Sequence, residues 1–136
     1  MQKLTVIRGL PGSGKSTAAK SIMDTTPDTL HFEADMFFVS PTTGEYRYVA
    51  ELIHDAHAWC RTMTIQALER GFNVIVSNTF TTEREIEPYR TIAAIHSVEL
   101  EILTCRGTFQ NVHAVPDSVI DRMQNRWQAV EAERFI

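Results

Sequence analysis

Residues 9–17 read Gly-Leu-Pro-Gly-Ser-Gly-Lys-Ser-Thr, a glycine-rich segment that ends in a lysine and two hydroxyl side chains. Gly9, Gly14, Lys15 and Ser16 occupy the fixed positions of the P-loop pattern. Glycines let successive backbone N–H groups turn inward on an anion. Lys15 would reach the β- and γ-phosphates of a nucleotide, and the Ser16 hydroxyl would bind Mg²⁺. The segment predicts a site for a nucleoside triphosphate, with ATP and Mg²⁺ as the expected cofactors.

The sequence on either side of this segment supplies the strand and the helix that the pattern requires. The apolar run at residues 4–7 predicts a strand, and residues 15–23 predict a helix whose positive end points at the same anion. The alternative is a glycine-rich turn that only caps a helix. Because both neighbours agree with the pattern, phosphate binding is favoured.

The hydrophobic pattern of the chain alternates between strand and helix. The predicted strands are residues 3–8, 29–33, 73–77 and 98–104, and the predicted helices are residues 15–23, 47–70, 82–96 and 117–134. The third helix opens with a capping box formed by Thr82 and Glu85. The alternation predicts an α/β fold in three layers, a mostly parallel sheet of about four strands flanked by helices, as in P-loop NTPases and kinases.

The composition indicates one ordinary globular domain, residues 1–136, with 43% hydrophobic and 22% charged residues. A net charge of −4 argues against long-range attraction to nucleic acid or to anionic membranes. Cys60 and Cys105 lack a metal-binding spacing and are expected to be buried thiols. Neither a signal-peptide pattern nor a membrane-spanning run is found, so the expected setting is cytoplasmic.

Ligands of parallel sheets bind beyond the carboxyl ends of the strands, where three more segments are expected to meet the glycine-rich loop. They are Asp35 after the second strand, residues 77–79 after the third and residues 105–106 after the fourth. Asp35 is suited to accept the proton of an attacking hydroxyl. Its alternative role is to cap a turn or a helix. The catalytic role is favoured because a P-loop lies in the same chain.

The third strand lacks the acid that usually helps to hold Mg²⁺ in P-loop proteins. The metal would then depend on Ser16, phosphate oxygens and water, with Asp35 as a further candidate. Asn78 and Thr79 stand at the end of that strand. Hydrogen bonds to phosphate, metal-bound water or substrate are as good an explanation for them as turn formation.

Phosphoryl transfer also needs positive charge beside the migrating group. Arg106, Arg122 and Arg126 are the candidates, and the last two lie four residues apart on one helix face. His113 lies in a loop that would cover the nucleotide and is a candidate contact for base or substrate. An aromatic cluster after Asp35 is either a stacking platform for a base or part of the core, with core packing favoured; its members are Phe37, Phe38, Tyr46 and Tyr48.

Taken together, these motifs make the chain resemble the polynucleotide-kinase-like branch of the P-loop kinases, which includes phage 5′-hydroxyl kinases. The resemblance covers nearly the whole chain and rests on residues 9–17, 33–38, 77–79, 87–89, 113–116 and 120–126. It implies Asp35 as general base and Thr17 as a further phosphate contact. The residues expected to bind the nucleotide are Gly9, Gly12, Ser13, Gly14, Lys15, Ser16 and Thr17.

The resemblance implies an ATP-dependent kinase that acts on a hydroxyl, with a polynucleotide or nucleoside 5′-OH as the preferred acceptor and a small hydroxyl compound as the alternative. The expected catalytic residues are Asp35, Lys15 and Arg126, and the expected substrate contacts are Asn78, Thr79, Arg106 and His113. No membrane partner is expected. Two other functions stay open: a nucleotide-binding module that signals to a partner, and a plain NTPase. The missing acid on the third strand and the short segment 108–114 favour the module.

Overall fold

The computed structural model describes residues 1–107 and 115–136 of the chain. Within these residues the strands are β1 (Lys3–Arg8), β2 (Thr29–Phe32), β3 (Asn73–Asn78), β4 (Glu99–Thr104) and β5 (Glu133–Phe135). The α-helices are α1 (Lys15–Thr25), α2 (Ile53–Glu69), α3 (Glu83–Ile95) and α4 (Asp117–Asn125). Two short 3-10 helices, Ala34–Phe38 and Ala50–Leu52, lie between β2 and α2.

The strands form one sheet in the order β2-β3-β1-β4-β5, and every pair of neighbours is parallel. β1 lies in the middle, and its two neighbours come from later parts of the chain. The loop after β1 therefore leaves the sheet between the carboxyl ends of β3 and β4. This is the switch point at which parallel α/β sheets bind their ligands.

Helices cover both faces of the sheet because the central strands are apolar on both sides. One face packs Leu4, Val6 and Val76 against buried side chains of α2 and α3. The other face packs Ile7 and Leu103 against α1. The α/β fold predicted from the sequence is confirmed, with a fifth strand added.

The helix predicted at residues 117–134 is wrong in its second half. α4 ends at Asn125, and residues 133–135 lie as β5 beside β4. Ala132, with a φ of 65°, turns the chain into this strand. The helix predicted at residues 47–70 also starts later, at Ile53, after the separate 3-10 turn. In both places local helical patterns yield to contacts with distant segments.

The contact that holds β5 in place is a buried ion pair. Arg8, at the end of β1, is 0% exposed, and its Nη1 donates to Glu133 Oε2 at 2.8 Å. Its Nε donates to the carbonyl oxygen of Phe80 at 2.9 Å, and its Nη2 to that of Gln128 at 2.7 Å. The guanidinium also lies 4.0 Å from the ring centroid of Trp127. Burial lowers the pKa of Arg8, and the Glu133 carboxylate opposes that change.

Replacing Glu133 by Gln is expected to lower the free energy of unfolding by about 3–5 kcal/mol, because the change leaves a buried guanidinium without its counter-charge. Urea denaturation monitored by circular dichroism measures this loss. Glu131→Gln, at an exposed position in the same segment, is the matched control and should change stability by less than about 0.5 kcal/mol. Equal losses in the two variants would contradict the role given to the ion pair.

Candidate functional site

The segment after β1 folds as a tight glycine-dependent loop. Gly12 and Gly14 have φ values of 80° and 99°, in the left-handed region that glycine adopts without strain. A Cβ on Gly9 would collide with Ser13 Oγ and lie 3.1 Å from the carbonyl oxygen of Cys105. The loop is closed on itself by the Ser13 N–H, which donates to the Leu10 carbonyl oxygen at 3.0 Å.

The loop delivers the chain directly into the N-terminus of α1. Gly14 occupies the N-cap position. The first helical hydrogen bond runs from the Ala18 N–H to the Gly14 carbonyl oxygen at 3.0 Å. The side chains of Ser16 and Thr17 in the first turn are exposed. A helix N-terminus attracts phosphate, and a hydroxyl oxygen suits the hard cation Mg²⁺. The residues of this turn therefore fit a phosphate and its metal.

Lys15 is the first residue of α1, and its Nζ donates to the carbonyl oxygen of Leu10 in the glycine-rich loop at 3.0 Å. Burial lowers the pKa of Lys15, and negative charge on Cys105, Glu33 and Asp35 opposes that change. Burial also raises the pKa of the Cys105 thiol, so this group is neutral at neutral pH. The two carboxylates are then the charges that act on the lysine. Lys15 thus lies within electrostatic range of residues that follow β2 and β4.

Asp35 lies in the first turn of the 3-10 helix that follows β2. The N-cap position of that turn belongs to Glu33, whose side chain makes no capping hydrogen bond. The Tyr46 hydroxyl donates to Asp35 Oδ1 at 3.2 Å. Asn78 Oδ1 accepts a hydrogen bond from the Ala34 N–H at 2.8 Å, which ties this turn to the end of β3.

The surroundings of the Tyr46 phenol, including Asp35, change its pKa. Burial, followed by the charge and the hydrogen bond of Asp35, raises the pKa of Tyr46 to about 12. Tyr46 is 44% exposed and Tyr48 is 52% exposed, whereas Phe38 is 6% exposed and packs with Phe37. The predicted aromatic cluster therefore divides into two inner rings that belong to the core and two outer rings at the surface, of which Tyr46 contacts Asp35.

A polar chain at the ends of β2 and β3 was not singled out in the sequence. Ser77 Oγ donates to Glu33 Oε2 at 3.0 Å, and His31 Nε2 lies 2.6 Å from the same Ser77 oxygen. Burial lowers the pKa of His31. The signal that points to this chain is a serine at the strand end where an acid is usual, next to a strand that ends in glutamate.

The other predicted site residues have different surroundings. The Thr79 carbonyl oxygen accepts a hydrogen bond from the Gly9 N–H at 3.3 Å, so it helps to shape the loop. The guanidinium of Arg106 lies 4.2 Å from the ring centroid of Phe135. Arg122 is exposed on α4, and Arg126 donates from Nε to Thr81 Oγ1 at 3.0 Å. His113 and the segment 108–114 lie outside the described residues.

The described residues contain neither a metal-binding group of side chains nor a membrane-spanning helix. Across residues 1–107 and 115–136, no group of three or more His, Cys, Asp or Glu side chains is arranged to hold a metal ion. Mg²⁺ held partly by nucleotide phosphates does not require such a group. In the same part of the chain, no helix combines the length and the apolar character needed to cross a bilayer.

Comparison with known proteins agrees with this geometry. Residues 4–108 match the AAA_33 family model, which is described as an AAA domain. Human NEDD4-binding protein 2 is 26% identical over 135 residues, which make up 92% of this chain and 8% of that protein. An uncharacterized protein of Pasteurella multocida is 29% identical over 136 residues, or 90% of this chain and 75% of that protein. The chain thus spans a small part of the human relative and three quarters of the bacterial one.

Solved structures share the fold at low sequence identity. A chain of the Pnkp1/Rnl/Hen1 RNA repair complex has a TM-score of 0.70 at 19% identity, covering 92% of this chain and 43% of that one. A sugar kinase from a Janibacter species has a TM-score of 0.71 at 17% identity, covering 100% and 85%. The Mycobacterium tuberculosis APS kinase in complex with AMPPNP and APS has a TM-score of 0.59 at 14% identity, covering 89% and 67%. The predicted resemblance to P-loop kinases is confirmed at the level of the fold.

Replacing Asp35 by Asn removes the negative charge beside Tyr46 and is expected to lower the pKa of Tyr46 from about 12 toward 10. The return is partial, because burial is the larger cause of the raised value. Between about pH 9 and about pH 11, the carbon NMR signal of the Tyr46 ring should move in the variant and stay nearly constant in the parent. Asp55→Asn, at an exposed position on α2, is the control. Identical titration curves for the parent and Asp35→Asn would show that the two side chains do not interact.

Proposed function

The chain belongs to the AAA_33 family, and on that premise we propose that it is an ATP- and Mg²⁺-dependent phosphotransferase that moves the γ-phosphoryl group to a hydroxyl. One observation carries the proposal: the glycine-rich loop leads into the N-terminus of α1 with Lys15 and Ser16 in its first turn, and Asp35 follows β2 at the same carboxyl edge of the parallel sheet. A phosphate-binding loop and a carboxylate at one edge of the sheet allow the donor and the acceptor hydroxyl to occupy one cleft. Two free, buried cysteines fit the reducing cytoplasm that we propose for the protein.

The donor would be bound by the loop and the first turn of α1. Backbone N–H groups and Lys15 hold the phosphates, and Thr17 adds a contact. Ser16 holds Mg²⁺, which neutralises negative charge on the phosphate oxygens when it is bound. Lys15 Nζ would exchange its hydrogen bond to the Leu10 carbonyl oxygen for one to a phosphate oxygen when the nucleotide binds.

Transfer would proceed with Asp35 as general base. The acceptor oxygen forms a bond to the γ-phosphorus, the bond between that phosphorus and the bridging oxygen breaks, and ADP leaves. The proton of the acceptor hydroxyl passes to Asp35. We propose Arg126 as a source of positive charge for this step, with Arg106 as a further contact. The hydrogen bond to Thr81 places Arg126 beside the loop that follows β3.

The preferred acceptor in this proposal is the 5′-OH of a polynucleotide or a nucleoside. Tyr46 lies beside the proposed base, and its exposed ring and that of Tyr48 offer faces on which a nucleobase stacks. A chain of an RNA repair complex has the same fold, which supports a nucleic-acid acceptor. We assign Asn78 and Thr79 to shaping the cleft, with His113 as a proposed contact for base or substrate.

A nucleotide-binding module with little catalysis is the second candidate, and a specific observation favours it. β3 ends in Ser77 and Asn78, so the acid that usually helps to hold Mg²⁺ is missing from this strand. A module binds the nucleotide tightly and turns over no acceptor. A plain NTPase, in contrast, releases ADP without forming a phosphorylated acceptor. The same assay therefore distinguishes the three functions.

Asp35→Asn is expected to lower phosphoryl transfer by at least about 100-fold, because the acceptor loses its general base, and to leave ATP affinity nearly unchanged. Transfer from γ-labelled ATP is measured with a 5′-hydroxyl oligonucleotide, a nucleoside and a sugar as acceptors. Asp55→Asn on α2 is the matched control and should retain full activity. Transfer that survives Asp35→Asn unchanged would remove this residue from the mechanism.

Lys15→Met is expected to weaken binding of a non-hydrolysable ATP analogue about 10- to 100-fold, since hydrogen bonds to a charged group contribute about 1.5–3 kcal/mol. Isothermal titration calorimetry measures the affinity. Lys20→Met, at an exposed position on the same helix, is the matched control and should bind the analogue as the parent does. If both variants bind alike, Lys15 is not the phosphate lysine.

A further inference from the structure

The carboxyl end of β3 has Ser77 and Asn78 and lacks the acid with which P-loop proteins usually hold Mg²⁺. We propose that Glu33, from the end of the neighbouring strand β2, supplies the missing carboxylate for Mg²⁺. Ser77 and His31 orient it. This inference rests on the proposed function, because it concerns the metal that accompanies the bound nucleotide. It replaces Asp35 as the further candidate for the metal and leaves Asp35 to the acceptor hydroxyl.

Strand register brings the two positions together. β2 and β3 are parallel neighbours, with Phe32 opposite Val76, so the next residues, Glu33 and Ser77, lie side by side. Ser77 is in turn the partner of Ile7 on β1, the strand that leads into the glycine-rich loop. Glu33 Oε2 accepts a hydrogen bond from Ser77 Oγ at 3.0 Å. The carboxylate oxygen therefore lies within hydrogen-bond length of a side chain near the end of the strand that lacks the acid.

The charge of this carboxylate reaches the phosphate site. Negative charge on Glu33 raises the pKa of Lys15 more than negative charge on Asp35 does. The Glu33 side chain is 20% exposed, so it is largely withdrawn from bulk solvent. A partly desolvated carboxylate near the phosphate lysine is suited to a divalent cation, either directly or through the water that Mg²⁺ retains.

The hydrogen-bond chain also determines the orientation of Glu33. The Ser77 hydroxyl has one hydrogen and donates it to Glu33, so His31 Nε2 must donate to the Ser77 oxygen. His31 therefore orients Ser77, and Ser77 orients the Glu33 carboxylate, as outer-shell partners do at metal sites.

Separate carboxylates for the two tasks are chemically sensible. A carboxylate bound to a cation is a poor proton acceptor, because the cation stabilises its ionised form. Asp35 receives a hydrogen bond from Tyr46 on the exposed side of the cleft, whereas Glu33 is held by Ser77 against the sheet. With Glu33 assigned to the metal, Asp35 is left to accept the proton of the acceptor hydroxyl.

The test compares Mg²⁺ affinity with nucleotide affinity in the whole chain. Calorimetry with an imido analogue of ATP, at increasing Mg²⁺, gives the metal affinity of the complex, and electron paramagnetic resonance of Mn²⁺ gives a second readout without turnover. Glu33→Gln is expected to weaken metal binding about 10- to 100-fold, while metal-free analogue binding changes little. Glu45→Gln, at an exposed position on the following loop, is the matched control and should bind metal as the parent does.

A compensating variant tests the position of the carboxylate. Adding Ser77→Asp to Glu33→Gln returns an acid to the end of β3 and is expected to recover most of the lost metal affinity. A role of Glu33 in folding alone would not produce this recovery. Circular dichroism reports whether Glu33→Gln folds; if it does not, Glu33→Asp takes its place. That variant keeps the charge on a shorter side chain and should bind metal more weakly than the parent.

Several outcomes would overturn the inference, and they are distinguishable from failure of the proposed function. The inference is overturned if the metal affinity is unchanged in folded Glu33→Gln, or in Glu33→Asp where that variant is used. The proposed function still stands in that case if the parent binds the analogue and transfers the phosphoryl group. If adding Ser77→Asp to Glu33→Gln recovers no metal affinity, the claim that Glu33 supplies the carboxylate missing from β3 is overturned. A parent chain that binds no analogue at any Mg²⁺ concentration defeats the proposed function and the inference together.

Discussion

The structure depends on one guanidinium that is buried at the end of the central strand. Arg8 is 0% exposed and directly precedes Gly9, the first residue of the glycine-rich loop. A buried cation is tolerated only where its donors find partners. The carbonyl oxygens of Phe80 and Gln128 and the carboxylate of Glu133 are those partners, so the loop after β3 and the C-terminal strand must close around this point. The glycine-rich loop therefore starts from a position that three distant segments define.

The charges around the loop give a physical reason for a metal ion in the proposed function. Lys15 is the cation of the loop, and the carboxylates of Glu33 and Asp35 both act on it. A triphosphate tail would add several more negative charges to a cleft in which two carboxylates already offset one lysine. A divalent cation balances that excess. Mg²⁺ would then strengthen nucleotide binding, which agrees with an exposed Ser16 hydroxyl in the first turn of α1.

Features that depend on neighbouring residues were predictable from the sequence. β1 spans the predicted residues 3–8, and the capping box of Thr82 and Glu85 is present at the start of α3. Features that depend on distant partners were not predictable. Residues 133–135 have a helical pattern but form a strand, because pairing with β4 and the bond from Arg8 to Glu133 outweigh local preference. The Tyr46 hydroxyl on Asp35 likewise joins residues whose contact no spacing rule reveals.

The end of β3 illustrates why a linear motif is a poor measure of what a site contains. Parallel strands end side by side, so side chains that follow two neighbouring strands approach within hydrogen-bond distance although they are far apart in sequence. Glu33 and Ser77 are 44 residues apart, yet their side chains are 3.0 Å apart. If the carboxylate follows β2 in place of β3, the motif on β3 is incomplete, but the cleft still contains the same chemical group. The chemistry of such a site is defined by which groups meet in space, and sheet register, not sequence distance, decides which groups meet.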